Sequence, residues 1–189
     1  MAWDKTKPAN NAALVSSEIR ANWTAIEAAF GASLDTAIAF NFLPTGLGAW
    51  KFSRSTADLT KNASTAFSDV TGVSFTVGAS ETWAWLCLVH GISSVAAQFK
   101  FTFTGPAAPT AVRFGLVSQT GVAAATSQAA FGSAVNCAGT TVDIGLHLFG
   151  LLRNGANAGT VQMQFAQQNS DATNSKVYAE SSVIAVRFA

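Results

Sequence analysis

The sequence predicts an all-β fold, an antiparallel sandwich, on three observations. Residues Ala97 to Thr104 read Ala-Gln-Phe-Lys-Phe-Thr-Phe-Thr, which puts Phe99, Phe101 and Phe103 on one side and Gln98, Lys100, Thr102 and Thr104 on the other. Only an extended strand turns that period of two into a one-sided surface. A row of phenyl rings needs a facing apolar layer, hence a second sheet. From Ala49 onward, short strand-like runs recur between turn signals, and no segment suits a helix of ordinary length. Trp83-Ala-Trp-Leu-Cys-Leu-Val89 is nearly continuous apolar. Such a run reads as a central strand covered on both faces, and a subunit contact is one candidate cover.

Residues 1–14 are polar and irregular, with Pro8 and the Asn10-Asn11 pair. The period then changes. Val15, Ile19, Trp23, Ile26 and Phe30 form one apolar stripe at helical spacing. Ser16 or Ser17 suits the cap, Glu18 the helix dipole, and Gly31 the end. A lone helix of about four turns is marginal in water, so it must dock. It packs on its own β-domain, pairs with copies, or plugs into a partner. Phe40–Leu43 reads as an extended connector and Pro44-Thr-Gly46 as a turn. The division predicted is an arm at 1–31, a linker at 32–48 and a β-domain at 49–189.

Within the β-domain the predicted strands are Ala49–Ser55, Ala66–Val77, Thr82–His90, Ala97–Thr104, Ala111–Ser118, Ala134–Ala138, Thr141–Arg153, Thr160–Gln167 and Val177–Phe188. Ala66–Val77 is expected to break between Asp69 and Gly72. Short strands with no intervening helices fit a jelly roll of about eight strands. An immunoglobulin-like sandwich fits less well, because Trp83 and Trp85 both precede Cys87.

Of the 189 residues, 49% are hydrophobic and only 11% charged, with a net charge of +1. Typical soluble proteins are about 25% charged. So weakly charged a surface favours a subunit covered by its neighbours. The scattered Lys and Arg argue against nucleic acid. The absence of a long apolar window argues against a membrane span. Cys87 and Cys137 are expected to be buried thiols in a cytosol-made protein, since the opening lacks an apolar signal core. For the same reason Asn22-Trp-Thr24 and Asn62-Ala-Ser64 are not read as glycosylation sites.

Catalytic arrangements are missing from the sequence: no His-Glu-x-x-His, no Gly-x-Ser-x-Gly, no phosphate-binding Gly-x-x-x-x-Gly-Lys. No enzyme, cofactor or metal site is therefore predicted. His90 and His147 are expected to be satisfied strand-face residues and not a metal pair. On a subunit seam, His147 would make assembly pH-sensitive. Asp69 and Asp171 are expected to make local turn hydrogen bonds. Asp143 and Glu180 are expected to pair with Arg153 or Arg187, structurally and not as an acid–base couple. Trp83 and Trp85 share a face, which suits sugar stacking, but core packing is the favoured role. The tips Gly105–Pro109, Gln119–Gln128 and Asn169–Asn174 are the better candidates for an outside partner.

The opening, Trp3-Asp-Lys-Thr-Lys-Pro8 followed by Ser17-Glu-Ile-Arg-Ala-Asn-Trp23-Thr-Ala-Ile-Glu27, resembles the N-terminal segment of tailed-bacteriophage virion proteins. Phe67 to Val77, Glu81 to Trp85 and Phe99 to Pro106 resemble the jelly-roll domains of phage decoration, head-fibre and tail-fibre proteins. The resemblance implies a homotrimer likened to tumour-necrosis-factor-like trimers. It also implies an N-terminal arm that anchors to the major capsid protein or another virion protein. On that reading Ile19, Trp23, Ile26 and Phe30 are the anchor, and the particle is assembled in the host bacterial cytoplasm. A compact knob without shaft repeats suits a capsid decoration or cement protein. The alternative is a tail-fibre knob recognising host surface polysaccharide through its loop tips.

Overall fold

The computed structural model describes residues 49–118 and 126–188. The predicted helix with its stripe Ile19, Trp23, Ile26 and Phe30, the linker 32–48 and most of the tip Gln119–Gln128 lie outside the described residues. The described chain is all-β: β1 Trp50–Arg54, β2 Leu59–Lys61, β3 Ser68–Val77, β4 Thr82–Ser93, β5 Phe99–Thr104, β6 Ala111–Ser118, β7 Thr126–Gln128, β8 Val135–Cys137, β9 Thr140–Arg153, β10 Gly159–Gln167, β11 Ser175–Val177 and β12 Ser182–Arg187.

Two antiparallel sheets result. The first runs β1-β12-β4-β9-β6-β7, with β11 beside β4 and β2 beside β11. The second runs β3-β10-β5-β8. Except for the β6–β7 hairpin, neighbouring strands in a sheet are distant in sequence. The sheets face each other through aromatic rings. Phe75 of β3 meets Trp83 and Trp85 of β4 at 5.6 and 5.8 Å, and Phe103 of β5 meets Trp85 and Phe114 at 5.3 Å each. Phe99, Phe101 and Phe103 are fully buried, as their parity predicts, and so are Trp83 and Trp85. Edge-on rings at these separations add about 0.5–1.5 kcal/mol per pair beyond burial. Gly150 faces Trp85 across the β4–β9 register, and a Cβ there would stand 2.1 Å from the indole. The large ring fits between the sheets because its neighbour has no side chain. The Trp85 indole N–H is nonetheless left without a hydrogen-bond partner.

Several boundaries differ from the sequence reading, each for a local reason. β5 begins at Phe99 because Gln98 takes φ 55° in a turn closed by its amide on Ser94 O at 2.9 Å. The expected strand Val177–Phe188 divides into β11 and β12 at a turn where Glu180 has φ 67°. The expected break near Asp69 is a bulge: Gln162 pairs with Ser74 and Gln164 with Asp69, so β3 loops out between them, with Gly72 at φ 85°. β2 and β7 lie in segments not predicted as strands; at three residues each they are too short to show a period. Both cysteines are buried, and burial pushes the Cys87 thiol far up from its ordinary pKa.

At the open side of the sandwich, β1 is tied to β3. Lys51 Nζ donates to Thr76 O at 2.6 Å, and Ser53 Oγ to Ser74 O at 2.6 Å. Glu81 locks the end of β4. It accepts the Gly78 amide at 2.5 Å, the Trp83 indole N–H at 2.9 Å and an Arg187 guanidinium N–H at 2.5 Å. Burial alone would raise this carboxyl; the three donors outweigh it and hold it below its ordinary value. A carboxyl lowered in the fold adds stability above its unfolded pKa and loses it as pH falls through the folded one. Glu81→Gln is therefore expected to cost about 1–3 kcal/mol at neutral pH. The difference should narrow in urea melts of both proteins as pH falls below the ordinary glutamate range.

Candidate assembly face

The alternation that buries one side of each strand presents the other side outward. On the second sheet that outer side is polar: Thr76 and Ser74 of β3, Thr160, Gln162 and Gln164 of β10, Lys100 and Thr104 of β5. On the first sheet it is apolar, and the register assembles it into rows. One row runs Trp50, Val186, Ala84, Leu151 and ends at Arg113. The next runs Phe52, Ile184, Leu86, Phe149, Gly115. The third runs Arg54, Ser182, Leu88, His147, Val117. Phe52 is 65% exposed, Trp50 60%, Leu151 57% and Phe149 42%, far above the core residues one position away on each strand.

The apolar character of this face was legible as the continuous run Trp83–Val89, whose outward members are Ala84, Leu86 and Leu88. The contributions of Trp50, Phe52, Phe149 and Leu151 were not, because only the strand order sets them beside β4. Its rim is charged. Arg54 pairs with Glu180, so the expected pairing of Glu180 with Arg153 or Arg187 is incorrect. Asp143 is also exposed and accepts the Tyr178 hydroxyl at 2.7 Å instead of an arginine. That hydrogen bond raises the Tyr178 phenol. Lys176 Nζ lies 3.2 Å from Asp58, whose carboxyl is lowered first by the Ala179 amide and then by Lys176.

His147 and His90 stand on this face. His147 pairs in register with Leu88 and His90 with Gly145, so the two imidazoles are diagonal neighbours. They line a recess of about 130 Å³ above Gly145. Neither ring has a hydrogen-bond partner among the described residues, contrary to the expectation of satisfied histidines. No group of three or more metal-ligating side chains comes together among the described residues.

Of the loop tips, Asp171 makes the predicted local bond, accepting the Thr173 amide at 2.8 Å, and that bond lowers its carboxyl. Asp69 instead accepts Gln164 Nε2 at 2.7 Å across the β3–β10 register. Pro106, Pro109, Arg113 and Phe131 line an open cleft of about 580 Å³ beside the Gly105–Pro109 tip.

No family model matches the chain, and no curated protein matches it. Among solved structures it is similar to a chain in "Structure of infectious bursal disease virus Gx strain", at 12% identity and a TM-score of 0.19, over 75% of this chain and 40% of that one. The chain thus spans about two-fifths of that viral chain's length, and a superposition at that score assigns neither fold nor function.

Proposed function

We propose that this chain is a structural virion protein of the capsid decoration or cement type, not an enzyme. Its β-domain forms a homotrimer through the outer face of the first sheet, and its N-terminal arm grips the major capsid protein or another virion protein. The observation that carries the reading is the opposed chemistry of the two outer faces. One is Thr, Ser, Gln and Lys; the other is Trp, Phe, Leu, Ile and Val. A jelly roll is the fold we propose. Without β2, β6, β7 and β11, the order β1-β12-β4-β9 faces β3-β10-β5-β8, four strands on four, and the chain changes sheet at every step except from β5 to β8, which are neighbours in the second sheet.

Strands ~4.8 Å apart and rows ~6.6 Å apart give the three rows together about 500 Å², roughly two-thirds of it under apolar side chains. The apolar part is within the range of the largest patch on a monomer, and the whole is short of the ~800 Å² that each partner buries in a standard contact. The patch supplies the apolar centre of an interface, and the rim supplies the rest. A second copy is the occupant this face suits. The rim carries both signs, with Arg54 paired to Glu180 and Lys176 to Asp58 within the chain, so like copies meet without net charge repulsion.

Sedimentation velocity of the full chain at neutral pH tests this directly. A trimer is expected, and a monomer across the micromolar range overturns it. Deleting residues 1–31 should abolish virion binding and leave the trimer. If the full chain is monomeric and the deletion self-associates, the arm covers the face instead. A second reading, a knob binding host polysaccharide, rests on the cleft beside the Gly105–Pro109 tip; a glycan array with the purified protein discriminates.

A further inference from the structure

We infer that the assembly face carries an acid-triggered release, in which protonation of His147, with His90 beside it, breaks the contact between copies. This rests on the self-association proposed above and adds its regulation. His147 is half-buried in the third row. A copy seated on the patch buries it among carbons. Histidine is the side chain that changes charge between pH 5 and 8, and burial in an apolar contact disfavours the charged form.

The surroundings offer a charged ring no compensation. From β4 it is faced by Leu88, with Leu86 and His90 on the diagonals. From β6 it is faced by Val117, with Gly115 on the diagonal. Along its own strand come Gly145 and Phe149. The only titratable group among these is His90, whose protonation adds a like charge across the shared recess. The acidic groups of the face belong to its rim, and each is already engaged: Asp143 by Tyr178, Glu180 by Arg54, Asp58 by Lys176. Proton uptake therefore favours the separated copies. The copies stay together while the rings are neutral and separate as pH falls.

The test is sedimentation velocity of the full chain at about pH 8 and about pH 5. The wild type is expected to be assembled at the higher pH and to separate at the lower. Association should weaken by about tenfold per pH unit for each proton taken up. His147→Gln should stay assembled in acid, and His90→Gln should shift the midpoint by a smaller step. If Gln at 147 disturbs folding, His147→Leu reads the same quantity. Assembly that is equal at both pH values overturns the switch and leaves the trimer standing. A double His90→Gln, His147→Gln variant that separates with the wild-type midpoint also overturns it and shifts the cause to the rim carboxylates. A wild type that is monomeric at pH 8 overturns the switch and the assembly reading together.

Discussion

If copies associate as proposed, replacing Phe149 by glutamate is expected to convert the assembly to folded monomer. Phe149 is in the middle of the apolar patch, between Leu86 on β4 and Gly115 on β6. The glycine offers no side chain to cover it, and the ring is 42% exposed in the isolated chain. A carboxylate at that site stays hydrated in a monomer, so the fold should tolerate it. In an assembly the same carboxylate is taken from water into a contact of Phe, Leu and Ile side chains. An unpaired charge there costs several kcal/mol per copy. Each 1.4 kcal/mol is a factor of about ten in affinity, so association should weaken by about a thousandfold or more. Thr160→Glu, on the exposed polar face of β10, is the matched control and should leave assembly as it is. Circular dichroism checks that both variants fold, and sedimentation reads their mass. A Phe149→Glu protein that assembles like the wild type removes this face from the interface, whatever the oligomeric state proves to be.

The two layers of chemistry in this domain differ in how far the sequence reveals them. Phe99, Phe101 and Phe103 announce their burial by parity alone, because strand geometry is local. Trp83 and Trp85 declare themselves core in the same way. Trp50 and Phe52 have the right spacing to share a face with each other, but nothing local says that β12 and then β4 lie beside them. That placement is long-range, set by which strands pair, and a single sequence does not encode it in any short window. The charge pairs fail for the same reason. Glu180 finds Arg54 only because β1 and the β11–β12 turn converge at one edge. His147 and His90 were legible as strand residues in apolar surroundings; that they are diagonal neighbours follows from the β4–β9 register. The all-β, antiparallel character was within reach of the turn spacing, whereas the β2 and β7 segments were too brief to carry a pattern.

Gln167 was within reach of parity too. It has the same parity as Val161, Met163 and Phe165, and it is fully buried. Its Nε2 points at Thr173 O at 2.8 Å, Asp171 O at 3.1 Å, Ser175 Oγ at 3.2 Å and Lys61 O at 3.4 Å. Its Oε1 accepts the Ser64 amide at 3.1 Å and the Asp171 amide at 3.2 Å. The carboxamide orientation is thereby fixed, since a carbonyl oxygen could not face those carbonyl groups. One side chain thus ties the end of β2, the loop that follows it and the β10–β11 connection to the core. Gln167→Leu keeps the volume and removes every one of these bonds, leaving backbone groups in that corner without partners. Each orphaned group costs about 1–3 kcal/mol, and solvent entering the loosened loops recovers part of it. A net loss of about 3–5 kcal/mol is expected, at the upper end for a single substitution. In a domain of this size that lowers Tm by roughly 10 °C or more, compared at one protein concentration. Gln167→Glu should be at least as damaging, because a carboxylate has no N–H to offer three carbonyls and would be buried with its charge. Gln164→Leu, whose amide reaches only the exposed Asp69, should cost less than about 1 kcal/mol. Equal melting of the Gln167→Leu and Gln164→Leu proteins would show that the buried amide holds nothing together.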